Sequence, residues 1–199
     1  MTVTKSVLPL QDGARQVGAR LRALRAQHGL TILELAAKAG LSAGLISQIE
    51  RGSSNPSMRT IQRLRTALDV NIWEFFGQAA LADEGDPDFV RRRDQRARIV
   101  VGRTRLVKEL LSPGGDSPLR FMLITLPPGG VSEDVLLGRG EKGGYVMSGR
   151  VELTVDGRRA ELIEGDSFQF ESHLPHQLAN PFAEEATVFW IMSVPNTHF

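Results

Sequence analysis

The sequence predicts an all-α domain of five short helices followed by an all-β sandwich or barrel. Three observations predict it. Apolar residues recur at helical spacing up to residue 76: Val17, Leu21 and Leu24 fall at i, i+4, i+7, and Ile61, Leu64 and Leu68 repeat the pattern. After residue 97 the period shortens to strand-like runs, ARIVV, FMLIT, YVM, VELTV, SFQF and TVFWIM, punctuated by GG at 114–115, PPGG at 127–130 and DG at 156–157. The charge changes sign at the same place: residues 1–80 carry a net +5 and residues 81–199 a net −4, within a total of +1. A basic first half suits a polyanionic partner.

Composition narrows the classes further. With 41% hydrophobic and 24% charged residues, the 199-residue chain reads as folded rather than disordered. The absence of Cys excludes disulfide staples, zinc fingers, iron–sulfur clusters and thiol nucleophiles. No apolar run reaches the roughly 18 residues a membrane span needs. The first residues, MTVTKSVLPLQDG, show neither a secretory apolar region nor a lipidation signal, so the expected location is the cytoplasm.

Taken in order, residues 1–13 read as a flexible arm and 14–80 as the helical domain. Segment 14–28, rich in Ala, Leu and Arg, is an amphipathic helix stopped near Gly29. Thr31 opens a second helix, and Glu34 three residues on completes a capping box. That helix ends at Gly40. Ser42 is an N-cap for a third, AGLISQIER, which Gly52 stops. Helix, three-residue turn, helix is the helix-turn-helix layout. On the third helix Leu45 and Ile49 are expected in the core. Ala43, Gly44, Ser47 and Gln48 fall elsewhere on the cylinder, where they face a major groove. Gln48 suits a bidentate pair with adenine, Ser47 serves several base edges, Ala43 touches a thymine methyl, and Gly44 permits close approach. Thr31, Ser42, Arg51, Asn55 and Arg59 sit near helix ends or in the following loop, positions suited to phosphate. In NIWEFF, Trp73, Phe75 and Phe76 read as a fifth helix closing the core.

The string VGARLRALRAQHGLTILELAAKAGLSAGLISQIERGSSNPSMRTIQRLRTALDV resembles the Cro/CI-type (XRE) helix-turn-helix family. The resemblance implies that residues 43–51 are the recognition helix and that the second helix lies across the DNA backbone. It departs from the family at Ile32, where a phosphate-clamping Gln is common.

Residues 81–97, LADEGDPDFVRRRDQRA, are charged and lack an apolar stripe, and read as a linker to a second domain at 98–199. There VELTV-DG-RRAEL forms a hairpin with a two-residue turn. GYVMSGRVELTVDGRRAELIEGDSFQF and LPHQLAN resemble the cupin family, a double-stranded jelly-roll barrel, with His176 and Asn180 matching its second motif. Many cupins hold a divalent metal. Aligned back from Gly149, the first His position falls on Gly138 and the Glu position on Lys142, and a protonated Lys cannot ligate a cation. Glu141 is adjacent but points to the other face of its strand. No metal and no cofactor are expected. What remains is a candidate pocket of Arg120, Lys142, Tyr145, Phe168, Phe170, His176, Gln177 and Trp190, suited to a small carboxylate. The alternative is that Lys142 reaches solvent and side chains fill the barrel.

A basic helix-turn-helix followed by a cupin resembles a family of bacterial transcription regulators. The resemblance implies a homodimer on double-stranded operator DNA, a pseudo-palindromic site, repression by occlusion, and a cupin that dimerises or senses a small molecule. One alternative is a ligand-free regulator whose cupin only dimerises. Another is a helix-turn-helix–cupin iron enzyme acting on phosphonates, which needs a two-His-one-carboxylate triad.

Overall fold

The computed structural model describes residues 11–76, 86–113, 118–133 and 139–193. A helical N-terminal half precedes a β-sheet, cupin-like C-terminal half. Among the described residues there are four α-helices: α1 (Gln11–Gln27), α2 (Ile32–Ala39), α3 (Ala43–Glu50) and α4 (Met58–Leu68). Helix α1 is described from Gln11, so Gln11–Gly13 of the expected arm are helical; residues 1–10 lie outside the described residues. The fifth helix is not an α-helix. Ile72–Phe76 is a 3-10 helix, and the side chains of Trp73 and Phe76 lie outside what is described. A 3-10 turn aligns side chains three apart, which puts Ile72 and Phe75 together in the core.

Local chemistry sets the ends of the helices. At α2 the Thr31 hydroxyl accepts from the Glu34 N–H at 3.2 Å, and the Thr31 N–H donates to the Glu34 carboxylate at 2.7 Å. This is the expected capping box. Hydrogen bonds from the Thr31 backbone and then its side chain hold the Glu34 carboxyl below its ordinary range. Gly40 closes α2 in the left-handed conformation, φ 61°. Ser42 and Ser57 cap α3 and α4 through the N–H groups of Leu45 and Thr60.

The helical core joins Val17, Leu21 and Leu24 to Leu35, Ile61, Leu64 and Leu68. From α3 it takes Ile46 and Ile49, not Leu45 and Ile49; Leu45 is half-buried at the margin of the stripe. Gly18 lets α1 close on α3. A Cβ there would stand 2.2 Å from the Ile49 carbonyl oxygen. We expect Gly18→Ala to cost about 1–3 kcal/mol by overpacking, read as a lower urea midpoint with an unchanged slope.

The C-terminal half holds two antiparallel sheets. One has six strands in the order β1 (Arg98–Val101), β2 (Leu106–Leu110), β3 (Leu119–Leu126), β10 (Ala186–Ser193), β5 (Glu141–Ser148), β8 (Ser167–Glu171). The other runs β4 (Val131–Glu133), β9 (His176–Ala179), β6 (Arg150–Val155), β7 (Arg158–Ile163). The β6–β7 turn is Asp156–Gly157 with φ 47° and 74°, positive at both positions, as a type I′ hairpin requires. Register places Arg120, Met192, Lys142 and Phe170 in one row across the large sheet, and Met122, Trp190, Gly144 and Phe168 in the next.

Of the expected linker, residues 81–85 lie outside the described residues. Beyond them Arg92 holds Asp86 with Nε–Oδ1 at 3.0 Å, and the Ala97 carbonyl accepts from the Leu110 N–H at 2.8 Å. The two halves touch: β1 lies against α1, and the Gly102 N–H donates to the Pro56 carbonyl at 3.1 Å.

Candidate nucleic-acid interface and ligand site

Helices α2 and α3 meet at 116°, within the range of helix-turn-helix units. Two arginines fix that angle. Arg63 of α4 donates to the carbonyls of Ala39 and Gly40, satisfying the end of α2. Arg25 of α1 grips Glu50, the last residue of α3, through Nε–Oε1 at 2.6 Å and Nη2–Oε2 at 2.9 Å. Its third nitrogen donates to the Leu30 carbonyl at 2.7 Å. The bonds to Glu50 raise the Arg25 guanidinium above its ordinary value. Sequence reasoning missed Arg25, Glu50 and Arg63 as positioning residues, because nothing local signals a pair between separate helices.

On the outer side of α3, Gly44 and Gln48 are exposed, and Ala43 and Ser47 half-buried. The Gln48 side-chain amide makes no hydrogen bond among the described residues, so its donor and acceptor are both available. Ser47 accepts from Arg51, which folds back along the helix from its C-cap. Ser42 and Arg59 are exposed at the N-terminal ends of α3 and α4. The Thr31 hydroxyl donates to Glu34 at 2.8 Å, so its proton is committed to the cap. Asn55 is half-buried, with its Oδ1 buried and unpaired. Ile32 is half-buried against the core and presents no amide where the family often has Gln.

The second candidate site lies between the two sheets, with Lys142, Phe168, Phe170 and Trp190 on the large sheet and His176 on β9 of the small one. Lys142 is 2% exposed and His176 8%, so Lys142 does not reach solvent. Its ammonium stands 3.1 Å from His176 Nε2. His176 Nδ1 lies 2.7 Å from the Leu174 carbonyl, which can only accept, so the ring hydrogen sits on Nδ1 and Nε2 accepts from Lys142. Phe170 packs at 4.7 Å and Trp190 at 6.0 Å from the His176 ring, and Phe168 lies 5.2 Å from Trp190. Trp190 Nε1 is buried with no hydrogen-bond partner. Arg120 is half-buried, two strands from Lys142 in the same row.

Two expected pocket residues fall elsewhere. Strand residues alternate faces. Tyr145 is an odd offset from Lys142 and is exposed on the outer face beside Phe189. Gln177 follows His176 and therefore points away from it. Conversely Lys108, buried in β2 in phase with Leu106, was missed. The alternation in LVKEL carried that signal. Asn180 is structural: its Nδ2 donates to the carbonyls of Leu126 and Glu184. Among the described residues, no three His, Asp or Glu side chains are grouped to hold a metal ion; Gly138 lies outside them. Among them too, no single helix is long and apolar enough to cross a membrane.

Comparison with known proteins agrees with this division. A helix-turn-helix family model matches residues 21–75 and a cupin domain model matches 122–192. The chain is 29% identical over 175 residues to the HTH-type transcriptional regulator PuuR of Escherichia coli (strain K12), covering 87% of this chain and 92% of that one. It is 38% identical over 60 residues to the uncharacterized HTH-type transcriptional regulator y4dJ of Sinorhizobium fredii, covering 30% of this chain and 78% of that one. A crystal structure of an HTH_3 family transcriptional regulator from Vibrio cholerae shares the fold with a TM-score of 0.60 at 23% identity, over 94% of this chain and 99% of that one. The chain belongs to the XRE-type helix-turn-helix transcriptional regulators and carries a C-terminal cupin domain.

Proposed function

We propose that this regulator binds a pseudo-palindromic operator as a homodimer and represses by occluding it. Ala43, Gly44, Ser47 and Gln48 read bases. Ser42, Arg51, Asn55 and Arg59 hold phosphate, and Thr31, whose N–H and hydroxyl proton both go to the Glu34 carboxylate, joins them only when that cap opens. The observation that carries this reading is the exposed, unpaired Gln48 amide on a helix clamped by Arg25 and Glu50. One head reads a short half-site, and a two-fold pair reads two. The chain acts as a regulator and not as an enzyme, its domains dividing near residues 80 and 98 and its two sheets forming the layers of a jelly roll. The test is fluorescence anisotropy on DNA from its own upstream region and on a scrambled duplex. A preference of about a thousandfold supports the reading. Equal binding to both, steeply dependent on salt, sinks it.

A second observation favours ligand sensing over a cupin that only dimerises. A buried indole N–H without a partner costs about 1–3 kcal/mol, and Trp190 carries one beside Lys142 and His176. A small carboxylate accepts from the indole, and the lysine adds charge. A panel of short mono- and dicarboxylates is expected to include one that raises the melting temperature. Saturation at a hundredfold above Kd gives about 2.7 kcal/mol. Lys142→Met is expected to abolish that shift. Such a ligand moves DNA binding only if the free and DNA-bound arrangements differ in affinity for it.

A further inference from the structure

The β-sheet half brings its own arginine to the side of the molecule where the α3–α4 loop lies. Gly102 to Arg105 form a tight turn between β1 and β2, closed by the Arg105 N–H on the Gly102 carbonyl at 3.3 Å. The turn is pinned to the helical half by the Gly102 N–H on the Pro56 carbonyl at 3.1 Å. Its tip, Arg103 and Thr104, is exposed. Pro56 follows Asn55 and precedes the Ser57 cap of α4, so Arg103 stands next to the loop read above as holding phosphate.

Two further arginines border the same loop. Arg59 is exposed in the first turn of α4. Arg15 of α1 abuts Gly52, whose Cβ would stand 2.8 Å from the Arg15 Cγ. Arg15, Arg59 and Arg103 make no ion pair or hydrogen bond among the described residues. Residues 51–59 and 98–108 contain no carboxylate. Arg59 and Arg103 are exposed, unpaired cations on two facing segments that hold no acid. Together they attract a polyanion.

We propose that Arg103 is a DNA-backbone contact supplied by the cupin half, continuing the phosphate track of Asn55 and Arg59 beyond the helix-turn-helix. The inference rests on the DNA-reading face assigned above. The partner chemistry is a phosphodiester chain: a guanidinium on a fixed turn suits phosphate and carries no sequence information by itself.

The experiment compares full-length wild type, Arg103→Ala, Arg103→Lys and Arg93→Ala on the upstream and scrambled duplexes across a salt series. Arg93 is an exposed arginine on the connecting segment and serves as the charge control. Arg103→Ala is expected to weaken both duplexes by the same factor. It is expected to make the slope of log K against log salt shallower by about 0.9 per protomer, with an unchanged melting temperature. Arg103→Lys is expected to restore the slope, and Arg93→Ala to leave it as in wild type. An unchanged slope for Arg103→Ala, or an equal loss for Arg93→Ala, overturns the contact while leaving the DNA-reading face intact. Wild type that binds neither duplex overturns that reading and this one with it.

Discussion

Glu50→Ala is expected to destabilise the chain by about 1–3 kcal/mol and to weaken specific DNA binding through the loss of the α3 clamp. The Arg25 side chain is 16% exposed and that of Glu50 7%. The carboxylate takes two of the guanidinium's nitrogens, and the Leu30 carbonyl takes the third. Without Glu50, a partly buried cation keeps one neutral acceptor. The cost is chiefly that of the charge left behind. The double variant Arg25→Met/Glu50→Leu is therefore expected to recover much of the loss, because an apolar pair of similar volume needs no desolvation repaid. Urea unfolding measures both. If Glu50→Ala costs under about 1 kcal/mol, the pair is behaving as a solvent-screened surface bridge, and α3 is held by its apolar residues alone.

Gln48→Ala is expected to act on recognition and not on folding. The side chain is exposed and makes no hydrogen bond within the protein, so its loss leaves no buried group unpaired. On DNA it removes a bidentate base contact, at about 1–3 kcal/mol per half-site, or about 2–6 kcal/mol on a two-fold operator. The choice at that base pair relaxes, while the salt slope stays as in wild type because no phosphate contact is lost. Anisotropy on operator duplexes varied at each position would show the signature. An equal loss on every duplex, scrambled DNA included, would remove Gln48 from the base-reading set.

What was legible in the sequence was local. The Thr31–Glu34 capping box spans four residues, and the Asp156–Gly157 turn two; both follow from the chemistry of neighbours. Lys142 and His176 were grouped from motif spacing, and the structure brings them together from facing sheets, with Phe168, Phe170 and Trp190 on the same sheet as Lys142. Tyr145 and Gln177 were misplaced because they were grouped by nearness in the chain, and a step of one or three along a strand reverses the face. The third helix buries Ile46 with Ile49, because packing against α1 selected the i, i+3 stripe over the i, i+4 one. The grip of Arg25 on Glu50 and the caps from Arg63 join helices whose meeting is a property of the tertiary fold. No window of sequence contains them.

The seat of β1 on α1, with its hydrogen bond from Gly102 to Pro56, also bears on the geometry of the target. A head fastened to its cupin cannot swivel freely to meet a displaced half-site. In the proposed dimer, the separation and relative rotation of the two recognition helices are then inherited from the protein. Spacer length in the operator becomes part of the code, although no side chain touches the spacer. Five added base pairs, about half a helical turn, would carry one half-site to the far side of the duplex. About ten would return it to the same face, one turn further off.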